Sequence, residues 1–218
     1  RPISHELKTP LASLREGVAV LGDGVAGPLG PDQAEVVRIL QHNTGQLQDQ
    51  IEALLRFNAA AFEARQLRRE RTDLLTLTQE QVQAQRLHWQ ARGLLVRVEG
   101  SPVVLPLDRD KMASALGNLL LNAIRFSPEG GLIRVLVNDL PGRASVDIVD
   151  QGPGVAEADR DRIFEPFYRG QRQPPQAVKG TGIGLSIVHE YVVAHGGRVS
   201  LVPQPGGAHF RIELPHAS

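Results

Sequence analysis

The sequence has no cysteine, which excludes a disulfide framework, a thiolate metal cluster and a cysteine nucleophile. Any chemistry must therefore use oxygen, imidazole or a bound cofactor. It also lacks an excess of charge: 24 Lys and Arg balance 24 Asp and Glu, and the formal net charge at pH 7 is zero with His neutral. With no long-range field to gather polyanions, nucleic acid and anionic membrane are not expected as main partners, a local basic patch aside. Nothing approaches the ~18 uninterrupted apolar residues of a membrane span, and Arg1-Pro2-Ile3-Ser4 has no signal-peptide stretch. A helical pattern begins almost at residue 1, so the chain is expected to be a soluble piece of a longer protein. What remains is 218 residues, 41% hydrophobic and 22% charged, a composition for one or two globular domains with a real core.

The apolar rhythm differs between the two halves. Leu7, Leu11, Leu14, Val18 and Leu21 alternate at spacings of 4 and 3, and after the breakers Gly22 to Pro31 the rhythm resumes at Val37, Leu40, Thr44, Leu47, Ile51 and Leu54. This predicts an antiparallel helical hairpin over 1–22 and 32–66. Two seamed helices bury one face each, so the hairpin is expected to pair with a second copy as a four-helix bundle. The charged run 67–73 reads as a linker, and 74–218 as a second domain. There Leu74 to Arg92, Asp108 to Phe126 and Leu185 to His195 read as helices, with Asp108 as N-cap and Ser127-Pro128 as a stop. Leu94 to Val98, Val103 to Leu105, Leu132 to Val137, Ala144 to Val149, Arg198 to Val202 and His209 to Leu214 read as strands. The fold class is α+β, with helices on one face of a mixed sheet.

Several clusters can carry chemistry. On the helix 108–126, Asn118 and Asn122 are four residues apart and Arg125 follows three later, on a stripe separate from the apolar face Met112, Leu116, Leu119, Leu120 and Ala123. Carboxamide oxygens there suit a hard cation and the guanidinium suits a phosphate. Taken alone, such a stripe is also a solvated helix face. Asp150 shares parity with Val146 and Ile148, which puts its carboxylate at the rim of the core; Gln151-Gly152-Pro153-Gly154 then lets a flat ligand approach the backbone. That pattern equally describes an ordinary strand-ending turn. Lys179-Gly180-Thr181-Gly182-Ile183-Gly184-Leu185 leads into a helix whose first amides can cradle an anion. It fits neither a Walker loop, where Lys follows the glycine, nor a dinucleotide fold, where a strand precedes it. The polar stretch Arg169 to Val178 reads as either a lid or an unconstrained loop. In the first helix, His5 lies roughly opposite Leu7 and Leu11, with Glu6 adjacent, Thr9 one turn on and Pro10 expected to loosen the helix beside the imidazole. The spacing of His5-Glu6 and of His189-Glu190 excludes a zinc protease.

Together these segments resemble a known family, the sensor histidine kinases of two-component signalling. Ser4 to Leu11 is similar to the family's H box, Asn118 to Pro128 to its N box, Asp150 to Gly154 to its first glycine box, Phe164 to Arg169 to its F box, and Gly180 to Leu185 to its second glycine box. The resemblance implies a dimerising phosphotransfer hairpin followed by an α+β sandwich of the GHKL (Bergerat) ATPase type. It implies that His5 accepts phosphate, that Glu6 assists proton removal, and that Thr9 positions water for dephosphorylating the partner. Asn122 would bind Mg²⁺, Asn118 would lie near the metal or phosphates, and Arg125, where many members have Lys, would lie beside the phosphate chain. Asp150 would hold the adenine amine, with Gly152 and Gly154 beneath the base. Gly180, Thr181, Gly182, Gly184 and Leu185 would line the phosphate side. Phe164 and Phe167 would anchor the lid on the core, and Arg169 would reach phosphate as the lid closes. The implied ligands are ATP and Mg²⁺; the implied partners are a second copy and the receiver domain of a response regulator. A cytoplasmic location follows, with membrane anchoring through segments upstream and a hinge at 65–73. Two other readings stay open: a hydrolysing ATPase of the same nucleotide-binding fold, and a scaffold whose ATP domain has decayed.

Overall fold

The computed structural model describes residues 2–172 and 180–216, with side chains from Lys8 onward. The chain divides into two compact units, residues 1–58 and 59–218.

The first unit is the helical hairpin. α1 (Pro2–Gly22) runs without interruption through Pro10, and α2 (Pro31–Glu63) begins at a proline, whose missing N–H costs nothing in a first turn, with Asp32 placed well against the helix dipole. Arg15 Nη1 donates to Gln48 Oε1 at 2.8 Å between the two helices. The seam is only partly covered. Leu11, Val18, Val37 and Ala53 are buried, whereas Leu14, Leu21, Leu40, Leu47 and Leu54 keep 40–56% of their surface exposed. Two helices cannot enclose each other's apolar stripe, so one side of this hairpin is left open.

The second unit is a two-layer α+β sandwich. β1 (Glu70–Asp73) pairs antiparallel with β3 (Val104–Leu107). β2 (Leu95–Gly100), β4 (Leu132–Leu140), β5 (Arg143–Val149), β6 (Arg198–Leu201) and β7 (His209–Pro215) form a five-stranded sheet in the order β2-β4-β5-β7-β6, parallel only between β2 and β4. α3 (Leu74–Ala84), α5 (Arg109–Phe126) and α6 (Gly184–Ala194) form the layer against it; the short α4 is Arg86–Ala91. The shared core consists of Met112, Leu116, Leu119 and Leu120 from α5, Ile133, Val135 and Val137 from β4, Val146 and Ile148 from β5, Phe210, Ile212 and Leu214 from β7, and Val188 and Val192 from α6. Each of the larger of these side chains contributes about 1.5–3 kcal/mol by leaving water.

The sequence-based expectations need correcting at two points. Residues 70–73, read as linker, are a strand held by β3. The helix expected over Leu74 to Arg92 is broken at Gln85, which leaves the helical conformation and donates from Nε2 to the Gly117 carbonyl of α5 at 2.7 Å. On β5 both faces are buried: Ser145 and Asp147 join Val146 and Ile148, because His209 and Arg211 each close on Asp147 at 2.6 Å. A carboxylate on the outer face is thus covered by its own partners.

Candidate functional site

α5 presents the polar stripe because its opposite face is committed to the core. Asp108 caps the helix, its carboxylate accepting from the Lys111 amide at 3.2 Å, and Ser127 ends it. Asn118 and Asn122 are half-buried. Asn118 donates from Nδ2 to the Ser114 carbonyl at 2.9 Å, and its Oδ1 lies 3.2 Å from where a Cβ on Gly184 would stand, so α6 begins directly against the stripe. Among the described residues no hydrogen bond involves the Asn122 carboxamide, whose oxygen is a hard neutral donor suited to Mg²⁺. Arg125 is half-buried, with Nη1 2.7 Å from a Cβ placed on Gly180. Burial, and then the neighbouring Arg169, draw its pKa below the ordinary value. Two neighbouring guanidiniums that repel each other favour an anion beside them.

Asp150 stands at the end of β5 with 3% of its surface exposed. Its Oδ1 accepts from the amides of Gly152 at 2.8 Å and Ala208 at 3.0 Å. Among the described residues nothing donates to Oδ2. Burial raises the carboxyl pKa and the two amides oppose the rise. A buried carboxylate with one committed and one open oxygen accepts a further N–H donor readily. Only glycine fits beside it, since a Cβ on Gly152 would lie 2.5 Å from the Phe126 carbonyl oxygen and 3.0 Å from Asp150 Oδ1. The loop carrying Gly154 and the turn at Gly207 close the same end of the sheet, with Gly207 N donating to the Gly152 carbonyl at 3.0 Å.

The F-box segment and the second glycine segment are stitched together by the Phe167 amide, which donates to the Gly182 carbonyl at 2.9 Å. Phe167 adopts φ 66° and Gly182 φ 74°; a Cβ on Gly182 would come within 2.9 Å of the Phe167 carbonyl carbon. Phe167 was expected to anchor in the core. Its side chain is instead 41% exposed, since the left-handed backbone turns it outward, and its contribution is the amide bond. Phe164 does anchor, edge-on to Phe210 at 6.2 Å between ring centres. Ile183 precedes α6 without a side-chain cap, so the first-turn amides are open to an anion at the half-buried Gly180, Thr181 and Gly184. Leu185 is only half-buried; the helix buries Ser186, Ile187, Val188, Tyr191 and Val192 instead.

Asn118, Asn122, Arg125, Asp150, Gly152, Gly154, Arg169 and the glycines of residues 180–184 thus belong to the second unit, and Thr9 is exposed on α1 of the first. The His5 and Glu6 side chains, Lys179 and the stretch 173–178 lie outside the described residues. A cavity of about 710 Å³, bordered by Gly154, Phe164, His189, Arg198 and Gly207, reaches the Gly154 edge of this site but touches none of Asn118, Asn122, Arg125 or Asp150. Two groups escaped the sequence reading: the buried Asp159, which holds Tyr168, and the buried His195, which holds Asp108. Their partners lie too far away in sequence for any local pattern to reveal them.

This combination of a layered α+β fold, a buried carboxylate ringed by glycines and an Asn-Asn-Arg stripe on α5 beside the N-terminus of α6 defines a nucleotide-binding domain. The family described as "Histidine kinase-, DNA gyrase B-, and HSP90-like ATPase" matches residues 107–218, and the "His Kinase A (phospho-acceptor) domain" matches residues 2–63. The chain belongs to the sensor histidine kinases of two-component signalling. It is 38% identical over 216 residues to "Sensor histidine kinase GlrK" of Escherichia coli (strain K12), covering 99% of this chain but 45% of that protein. The chain therefore spans about half the length of such a relative. Among solved structures, "ShkA full-length in complex with AMPPNP" superposes with a TM-score of 0.71 at 27% identity, over 99% of this chain and 45% of that one. "Histidine kinase ThkA (TM1359) in complex with response regulator protein TrrA (TM1360)" shares the fold, with a TM-score of 0.65 at 19% identity over 97% of this chain and 61% of that one.

Proposed function

We propose that this chain is the ATP-dependent catalytic core of a protein histidine kinase, which phosphorylates itself on His5 and passes the phosphoryl group to an aspartate of a response-regulator receiver domain. The observation that carries the reading is Asp150: a buried carboxylate whose Oδ1 is held by two amides and whose Oδ2 is open to the exocyclic amine of adenine. Around it, Gly152 and Gly154 leave room for the base, Arg125 and Arg169 flank the phosphate chain, and the first amides of α6 with Gly180, Thr181, Gly182, Gly184 and Leu185 form its cradle. Asn122, with Asn118 beside it, would hold Mg²⁺, which when bound offsets negative charge on the phosphates.

In the reaction an imidazole nitrogen of His5 forms a P–N bond to the γ-phosphorus in line with the breaking bond to the β,γ-bridging oxygen, and ADP leaves. Glu6 takes the ring proton, and positioning supplies most of the acceleration. Thr9, one turn on from His5, orients water for the reverse task, dephosphorylation of the partner. The uncovered leucines of the hairpin support a homodimer, and the ThkA–TrrA complex supports a response regulator as partner. No helix among the described residues is long and apolar enough to cross a membrane; anchoring is assigned to upstream segments, with this core in the cytoplasm.

Incubation with γ-labelled ATP tests the reading. Label on the protein that is acid-labile, base-stable and absent from His5→Gln is expected. Free phosphate release without labelled protein would favour a hydrolysing ATPase instead.

A further inference from the structure

Arg169 is exposed, and its guanidinium makes no hydrogen bond among the described residues. Its backbone, in contrast, is fixed on both sides by one buried carboxylate. Asp159, 2% exposed in the short 3₁₀ turn Glu157–Asp159, accepts at Oδ1 from the Tyr168 hydroxyl at 2.7 Å and at Oδ2 from the Gln171 amide at 2.7 Å. The intervening Gly170 is so close that a Cβ there would stand 2.9 Å from Oδ2. On the upstream side the Phe167 amide is tied to the Gly182 carbonyl at 2.9 Å. The Tyr168 ring is held further by the Arg162 guanidinium, 4.2 Å from its centre, and Arg162 is itself tied to Glu165 at 3.2 Å.

We propose that Asp159 is a positioning residue: by clamping Tyr168 and Gln171 it sets the backbone on either side of Arg169, so that this side chain alone swings, from a fixed base, towards the phosphate end of the cleft. The proposal rests on the reading of Arg169 as a phosphate contact and adds how that contact is aimed. Arg169 is near enough to Arg125 to help draw that guanidinium's pKa down, and the Phe167–Gly182 bond ties the same segment to the second glycine segment. The Gln171 amide and the Tyr168 hydroxyl together hold the Asp159 carboxyl below the usual carboxylate range, and the Tyr168 hydroxyl is pushed up in turn. The clamp is therefore charged and intact at neutral pH. A charged acceptor binds its donors more tightly than a neutral one and so localises the loop better than an amide would.

The test compares Arg169→Ala, Asp159→Asn, Tyr168→Phe and the double variants with Arg169→Ala in the full 218-residue chain. Affinities for ATP and ADP are measured by displacement of a fluorescent nucleotide. Arg169→Ala is expected to weaken ATP about tenfold and ADP little, the size of one charge-assisted hydrogen bond. Asp159→Asn and Tyr168→Phe are expected to weaken ATP about three- to tenfold with ADP spared, and to add nothing once Arg169 is Ala. If Arg169→Ala leaves ATP affinity unchanged, the phosphate-contact reading fails and the proposal with it. If Arg169→Ala weakens ATP but Asp159→Asn and Tyr168→Phe act additively with it, or weaken ADP as much as ATP, the positioning role alone is overturned. Tyr168→Phe removes one hydroxyl from an outer ring and keeps the comparison decisive should Asp159→Asn fail to fold.

Discussion

The main-chain amide of Asp108 donates to Nε2 of His195 at 2.9 Å. His195 Nδ1 faces the Tyr191 carbonyl at 2.6 Å, so the partners assign the neutral ring with its proton on Nδ1. The carboxylate of the same Asp108 accepts from the Arg68 amide at 2.8 Å and from Lys111 Nζ at 2.8 Å. One residue thus joins the segment just before β1, the start of α5 and the end of α6. Tyr191 adds a bond from its hydroxyl to Glu63, also within the second unit, at 3.3 Å.

This hub gives stability a pH dependence. Burial lowers the His195 pKa from 6.5, outweighing the Tyr191 carbonyl, which raises it. Because the folded value lies below the unfolded one, the unfolded chain binds more protons in this window. The His195 contribution is complete above about pH 6.5 and is lost as pH falls towards the folded value. Urea midpoints are expected to drop between pH 7 and 5 and the drop to shrink in His195→Gln; a wild-type midpoint flat over that range refutes it. His195→Ala leaves the Asp108 amide unpaired and is expected to cost about 1–3 kcal/mol at pH 8.

The two tyrosines make a second titration readable. The hydrogen bond to Asp159 leads the upward shift of Tyr168, and burial, then Glu63, push Tyr191 up to about 12. Neither phenol is expected to be half-ionised at pH 10, where a free tyrosine is. Tyrosinate absorbance at half its maximum at pH 10 in the folded protein would count against both environments.

Asp150→Asn separates nucleotide binding from folding. The Asn oxygen can keep the bonds from Gly152 and Ala208, but the Asn amide would replace Oδ2 with a donor facing the adenine amine. Loss of that acceptor is expected to cost about 2–3 kcal/mol, roughly 30- to 150-fold in ATP affinity, with the circular dichroism spectrum unchanged. ATP affinity equal to wild type would mean that the base binds elsewhere.

What could be read in advance was local chemistry. The apolar face of α5 and its Asp108 cap follow from helical period and capping, and both stand in the structure. The Asn stripe, Asp150 and the glycines were legible because each carries its chemistry in a short segment. Glu70-Arg71-Thr72-Asp73 shows no apolar alternation; it is a strand only because β3 supplies the partner, and Thr72 alone of its residues is buried. The break at Gln85 involves neither Gly nor Pro and arises from its bond to Gly117. Asp147 and Asp159 sit in patterns that predict exposure, and each is buried by donors from distant strands or turns. Tertiary partners, absent from any local window, decided all of these.

The glycines separate steric from electrostatic roles. A methyl at Gly152 would meet the Phe126 carbonyl oxygen at 2.5 Å and Asp150 Oδ1 at 3.0 Å; the first is backbone at the end of α5 and the second is pinned by two amides, so neither can yield cheaply. Gly152→Ala is therefore expected to lower stability by about 1–3 kcal/mol, as overpacking does, and to displace Asp150, weakening ATP as well. The three nearest atoms to a methyl at Gly180 all belong to the Arg125 guanidinium, the closest 2.7 Å away at the far end of a long side chain. Gly180→Ala is expected to leave the urea midpoint within about 0.5 kcal/mol of wild type, as tolerated substitutions do, while turning Arg125 aside and weakening ATP more than ADP. Equal stability losses in the two variants would show that the Gly180 backbone, not the Arg125 tip, is what the methyl disturbs.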